Sequence, residues 1–430
     1  MTGLRTHETD ICIVGGGMAG VAAAVSAARR GQRITLVERA GFLGGAATAG
    51  SVSQFVGWHT RAGRKVIAGI ADDIIAELAG LGGADGFDRF VMSTGHCMDR
   101  IAYDPDLLKI ALDRLMQAGG VEVFFHSILC GVENTKGRIE RISVAGPGGL
   151  TGIEARCFLD TSGDMALLSA AGAEFLPEPA AGRQPATMMF ALAPVDFSRL
   201  EAVSREQKTE IIQRGLETGA LPRAALHHSR VPGSAVAWFN ISRISVDAVD
   251  PLSLSAGEME GREQAVRIAR FLIGNLPGCE QARLDRLAPS LGVRDTRRVL
   301  GEHVLTADEL RRNEGFADTI ACGAYPIDIH HAGSTSLTIE EFGEDHYYRI
   351  PYRSLIPKGL KNLATAGRGL SAESEAFAAV RVMPSAMATG HAAGIAAAMV
   401  AQSNSGDFRA IDVPALQAEL RAQSAFLGES

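Results

Sequence analysis

The sequence is poor in the features that direct a chain to nucleic acid, membrane or metal. Its lysines and arginines are scattered and the net charge is −7, so no basic patch is expected to attract a polyanion or an anionic membrane. No apolar run reaches the length of a membrane span. The longest, Ala386–Val400, is interrupted by His391 and reads as a buried helix. The start, MTGLRTHETD, is polar, and no signal peptide is expected. A cytoplasmic protein is therefore predicted, one that works on a small molecule rather than on nucleic acid or membrane. Self-association into a homo-oligomer stays open.

Cysteine is also sparse in useful arrangements. Cys12, Cys97, Cys130, Cys157, Cys279 and Cys322 lie far apart with no C-x-x-C pair. That spacing excludes the redox disulfide of disulfide reductases and a cysteine cluster for an iron–sulfur centre. It suits reduced thiols that fill a core. The eleven histidines contain no H-E-x-x-H, and only His227–His228 and His330–His331 are adjacent. No metal site is expected.

What is present is a glycine loop in a telling context. Ile11–Val14 is an apolar, partly β-branched run, and three glycines then open an alanine-rich helical segment that ends at Gly31. A second apolar run, Ile34–Val37, completes a βαβ unit. Within it Gly15, Gly17 and Gly20 fall on G-x-G-x-x-G: the first for a sharp turn, the second for approach to a pyrophosphate, the third for packing of helix on strand. The helix N-terminus adds partial positive charge and unpaired donors. Glu38 ends the second strand where a carboxylate can bind both hydroxyls of an adenosine ribose, and it repels the 2′-phosphate of NADP. Gly44, Gly45 and Thr48 follow, small residues that let backbone lie near a second phosphate or a ribityl chain.

At 430 residues the chain exceeds one ordinary core and suits two joined domains. Helices are predicted over residues 66–82 and 105–118, a strand over 121–125, and a hairpin from Arg138 to Cys157 across GPGG. The hairpin's second strand runs into FLDTSGD and a helix, a second turn at which backbone can meet a cofactor. From about residue 186 the style changes to strands in MMFALAPVD and AVAWFNISRISVD and an amphipathic helix over 255–273. The tail returns to strand, Gly-Arg-Gly turn and long apolar helix. The predicted class is α/β: a discontinuous Rossmann-like domain, 1–185 and 354–430, with an α+β substrate domain, 186–353, inserted.

Seven ordered blocks together resemble the FAD-dependent oxidoreductases of the glutathione-reductase-type fold, related to heterodisulfide reductase A-type and, more distantly, fumarate reductase flavoproteins. The blocks are VGGGMAG with Glu38, LGGAATAG, FLDTSGD, LGVRDTRRVLGEHVLT, YPIDIH, YRIPYRSLIPKGLKNLATAGRGLSA and VRVMPSAMATGHAAG. The resemblance implies FAD in extended form, with adenosine at Gly15–Glu38 and isoalloxazine near Ala366–Arg368 and Arg381–Ser385. Further cofactor contacts are implied at Met18, Ala19, Arg39, Ala46, Leu129, Ser162, Gly163, Gly367, Arg368, Val382, Met383 and Ser385. Pro384 suits the first turn of a helix whose N-terminus would favour negative charge on the flavin. Relatives of this fold carry Gly-Asp at the late turn, whereas this chain has Ala-Gly-Arg. No second G-x-G-x-x-G follows a strand, so a dedicated NAD(P)H domain is not expected.

For chemistry, Arg294, Arg297 and Arg298, then Asp328, His330 and His331, then Tyr347, Tyr348, Arg349, Tyr352 and Arg353 form a polar group that apolar packing does not explain. Arginine's planar fork suits a carboxylate, and His or Tyr can take a proton as hydride leaves for flavin N5. His330, Arg294, Arg297, Tyr348 and Arg353 are the catalytic candidates. The bland alternative pairs the arginines with Asp295, Glu302 and Asp328 as structural ion pairs. His59 reads as a loop histidine near the ring edge, with covalent flavin attachment as the sharper alternative. His96–Cys97 reads as surface loop and Trp238 as sheet core. The expected function is FAD-dependent dehydrogenation or oxidation of a small, carboxylate-bearing molecule. The alternatives are a flavin monooxygenase using NAD(P)H and O2, and a flavin subunit that passes electrons within a complex.

Overall fold

The computed structural model describes residues 5–91, 97–179, 182–331 and 337–429. Its frame is a seven-stranded sheet. Arg5–Val14 lies at the centre, parallel to Ile34–Val37 on one side and to Gly149–Asp160 on the other. Glu122–Phe124 extends the first side, also parallel. Gly149–Asp160 changes partner along its length: up to Glu154 it pairs antiparallel with Arg138–Gly146, and from Phe158 it pairs parallel with Leu363–Thr365. The sheet therefore takes strands from both ends of the chain. The fold is α/β with a Rossmann-like parallel core.

The alanine-rich segments explain how the helices sit on this sheet. Met18–Ala28 crosses Met383–Gln402 with backbones almost touching: a Cβ on Gly390 would stand 2.2 Å from the carbonyl oxygen of Ala19. Larger side chains would force these helices apart and move both N-termini. Among the described residues no helix is long and apolar enough to cross a membrane. Cys12, Cys157, Cys279 and Cys322 are buried, whereas Cys97 and Cys130 are exposed.

A second, four-stranded antiparallel sheet is built from His228–Arg230, Ala237–Phe239, Phe190–Ala193 and Arg283–Leu287, in that order. It has its own apolar core, which includes Trp238. The Pro251–Asn275 helix covers it, starting four residues before the predicted 255 because Asp250 caps Ser253 N–H and Pro251 takes the first turn. The predicted strand through ISRISVD ends at Phe239 instead. Beyond it the Ser242 hydroxyl accepts from Met188 N–H and donates to Met188 C=O, replacing ladder bonds. The helix predicted over 66–82 spans Ile70–Gly80, since Val66 and Ile67 instead turn back on the carbonyl of Trp58.

Candidate active site

One large cavity, about 770 Å³, opens at the C-terminal ends of the parallel strands, the usual ligand position in such sheets and a usual size for one. Gly15, Gly17, Met18 and Ala19 line one part of it. Gly15 has φ +106° and a Cβ there would meet Ser162 Cα at 2.4 Å, so only glycine makes this turn. No side chain caps the Met18–Ala28 helix, and its first-turn N–H groups are left for a ligand. Gly20 does not reach the cavity: it lies under the helix, against Gly15 C=O, as its packing role requires.

Glu38 lines the same end, with both oxygens engaged. Oε2 accepts from Gly16 N–H at 2.7 Å and Oε1 from Ala40 N–H at 2.8 Å. The carboxylate is thus oriented by backbone, with lone pairs to spare. Arg39 and the Gly44, Gly45 and Ala46 turn continue the wall. Beside Arg39 stands His126, with φ +52°, its ring so close to Gly41 that a Cβ there would lie 2.6 Å away. Nothing in the local sequence pointed to His126. The resemblance implied Leu129 for this segment, but Leu129 packs against an apolar cluster and does not line the cavity.

The wall continues through Ser162, Gly163, Gly367, Arg368, Val382 and Met383. Arg368 donates to Asp164 at 2.6 Å. An acid from the Thr-Ser-Gly-Asp turn therefore stands beside the late turn. Ser385 lies below the surface in the first turn of its helix, buried and away from the cavity.

Of the catalytic candidates, the structure brings Arg294 and His330 to this cavity and leaves three elsewhere. Tyr348 is fully buried, its hydroxyl donating to Ala379 C=O at 3.0 Å. Arg353 is half-exposed and pairs with Asp318 at 2.9 Å. Arg297 donates to Asp164 C=O and lies over Phe175. His59 Nδ1–H donates to the Asp99 carboxylate, 2.9 Å away, on a smaller cavity of about 170 Å³ that Cys97 also lines. His96 lies outside the described residues. His331 turns from the cavity to Thr338, as alternation along a strand requires.

His330 Nε2 stands 3.4 Å from Asp328 Oδ2, which also accepts from the Tyr325 hydroxyl at 2.9 Å. The spacing Asp328, His330 puts both on one strand face, a signal present in IDIH. Burial, helped by the nearby Arg294 guanidinium, pushes His330 down to about 3, against the opposing pull of Asp328. Enclosure and positive neighbours thus move His330 well away from the ordinary imidazole value near 6.5. Burial alone would raise Asp328, but His330, Arg381 and Tyr325 hold it below the usual carboxylate range. Burial pushes Arg294 down to about 9, with Arg381 and Arg223 acting the same way.

These directions have a consequence for stability. The unfolded imidazole takes a proton near pH 6.5, which folded His330 refuses until about 3. Stability is therefore full above pH 6.5 and falls as pH drops towards 3, by up to about 1.4 kcal/mol per pH unit for each such histidine. The half-buried His227 and His228, pushed down by burial to about 3 and about 4, act in the same sense. Thermal melts from pH 7 to 4.5 are expected to show a falling Tm, with a shallower slope for His330→Asn. A Tm independent of pH would contradict a buried neutral imidazole.

The family described as FAD dependent oxidoreductase matches residues 10–420. The chain belongs to the FAD-dependent oxidoreductases. Among curated proteins nothing matches. Among solved structures, a geranylgeranyl bacteriochlorophyll reductase-like protein from Thermoplasma acidophilum is similar over 98% of this chain and 85% of its own, at 14% identity and TM-score 0.51. A p-nitrophenol 4-monooxygenase from Pseudomonas putida is similar over 99% and 90%, at 12% identity and TM-score 0.52. At such identity these likenesses show a shared fold.

The residues present fit FAD. An uncapped helix N-terminus beside Gly17 suits a pyrophosphate, the oriented Glu38 carboxylate a ribose, and the Arg368–Asp164 pair a run of hydroxyls. This oxidoreductase is expected to purify yellow and to release FAD on acid precipitation. Recovery of FMN would contradict the Glu38 end of the site. Flavin retained in the precipitate would demand a covalent link and revive the attachment reading of His59.

Proposed function

We propose that this FAD-dependent oxidoreductase is a monooxygenase that takes NAD(P)H, O2 and a small organic substrate with an acidic hydroxyl. The carrying observation is that His330, set against Asp328, opens on the same cavity as the loops that fit FAD. FAD, when bound, supplies a two-electron carrier that also reacts with O2. The chain's own residues hold the substrate, take up its hydroxyl proton and exclude water. The neutral imidazole would accept a hydrogen bond from that hydroxyl, and a substrate anion beside Arg294 would offset one of the groups that hold His330 low, so that with Asp328 behind it the ring takes the proton. The region 186–353, which contributes Arg294 and His330, would act as the substrate domain.

Mono-oxygenation is supported by the likeness to p-nitrophenol 4-monooxygenase along nearly the whole chain, not its nucleotide-binding part alone. A second reading, dehydrogenation with electrons drawn from the substrate, is favoured by the single dinucleotide loop in the sequence. Kinship with heterodisulfide reductase A-type flavoproteins would fit that second reading and rests on the seven sequence blocks. The two readings separate in one experiment. The FAD-loaded protein is mixed with NADH or NADPH, a panel of phenols and O2, and oxygen uptake is measured with product analysis. Uptake coupled to a hydroxylated product supports the proposal. Anaerobic bleaching by an organic substrate alone, with no NAD(P)H oxidation, would establish dehydrogenation instead.

A further inference from the structure

Two guanidinium groups, those of Arg294 and Arg381, line one cavity with the Asp328 carboxylate. Arg381 Nη2 stands 3.4 Å from Asp328 Oδ2, and Arg223 meets Arg294 on Asn240 Oδ1. Arg294 spends its donors on Pro185 C=O and the Thr187 hydroxyl, both at 2.7 Å, and on Asn240 Oδ1 at 3.5 Å. Arg223 donates to Ile241 C=O and to Asn240 C=O and Oδ1. Neither is paired with a carboxylate among the described residues. Arg381 Nε is buried with no acceptor among the described residues.

An enclosed cation without a paired counterion is strongly unfavourable, and the Arg294 guanidinium bonds only neutral groups. Arg294 and Arg381 both line the cavity, as do Asn240, Asp328 and His330. An arginine offers five N–H donors in a planar fork, and on both residues some remain unspent. Asn240 Oδ1 accepts from Arg223 and Arg294 together, which fixes the Arg294 fork from behind.

We propose that Arg294 and Arg381 form a clamp for the carboxylate, or an equivalent oxyanion, of the substrate, with Asn240 and Asp328 as positioning residues. The inference rests on the oxidoreductase reading of this cavity and adds the substrate class, a small organic acid whose reacting group lies by His330. Nothing in the local sequence joins these two arginines, which are 87 positions apart by their numbers, 381 and 294.

The test uses the full-length FAD-loaded protein and three probes, benzoate, its neutral isostere benzamide, and sulfate. Binding is read from flavin absorbance and, independently, from the rise in Tm. Benzoate is expected to bind about tenfold to a hundredfold more tightly than benzamide, the worth of charge-assisted hydrogen bonds. Arg294→Met and Arg381→Met should each abolish that preference, and Arg294→Lys should restore part of it. Equal binding of benzoate and benzamide by the parent protein overturns the clamp, whether or not any variant folds. Sulfate binding as tightly as benzoate overturns the organic-acid assignment. Loss of flavin in Arg381→Met with benzoate affinity intact would assign that residue to the cofactor and overturn the two-arginine arrangement. Because binding is read without turnover, a protein that prefers benzoate but never consumes O2 keeps the clamp and loses the monooxygenase reading.

Discussion

His330→Ala is expected to slow turnover by about 10²–10⁴-fold, the usual worth of a positioned general base, with FAD still bound. Among the described residues the imidazole stands on the cavity wall against a carboxylate, Asp328. Its pH signature is distinctive. Because burial and Arg294 push His330 down to about 3, the base stays neutral through mildly acid solution. The acid limb of kcat/KM for the free enzyme should therefore fall below pH 6.5, not at it. His330→Gln keeps a hydrogen bond to Asp328 but cannot accept the proton, so it should lose rate nearly as fully as alanine. Stopped-flow and steady-state rates for both variants, measured with the first substrate found, check this. Parent-like rates in either variant would remove His330 from the chemistry, and a change in KM alone would make it a binding group.

Glu38→Ala should weaken FAD retention by roughly tenfold to a hundredfold, equivalent to about 1.5–3 kcal/mol of charge-assisted hydrogen bonding. The structure adds a second cost. The carboxylate also satisfies Gly16 and Ala40 N–H, so its removal loosens the glycine turn even without cofactor. Apoprotein stability should fall by about 1–3 kcal/mol for the unpaired donors. Glu38→Gln, which keeps one acceptor oxygen, should lie between parent and alanine in both measurements. Equilibrium dialysis of FAD and melts of the apoprotein separate the two effects. An unchanged dissociation constant in the alanine variant would mean that Glu38 serves only the turn.

Such separations mark the boundary between what short-range sequence encodes and what it does not. The nucleotide half was legible because its requirements are local. Gly15 is demanded by one backbone angle, Asp104–Pro105 by the cap and first turn of the Pro105–Ala118 helix, and Ile34–Val37 by burial on both faces. The βαβ unit, the hairpin around residues 146–149 and the cofactor turns follow from such rules, as does the discontinuous sheet, because the tail repeats the style of the head. Even Asp328 and His330 share a face by simple alternation.

The substrate side was not legible in that way. Arg294, Arg297 and Arg353 look alike in sequence, yet the first lines the cavity, the second caps a turn at Asp164 and the third pairs with Asp318 at the surface. Tyr348 is drawn wholly into the core, and His126 reaches the cavity where Leu129 was expected. The depressed His330 and the unpaired charge of Arg294 also depend on groups brought from distant loops. Backbone conformation is set by a residue and its near neighbours, so sequence alone determined the cofactor-binding frame. Burial, charge balance and facing direction are sums over atoms from many segments, so only the tertiary structure decided which polar residues line the cavity.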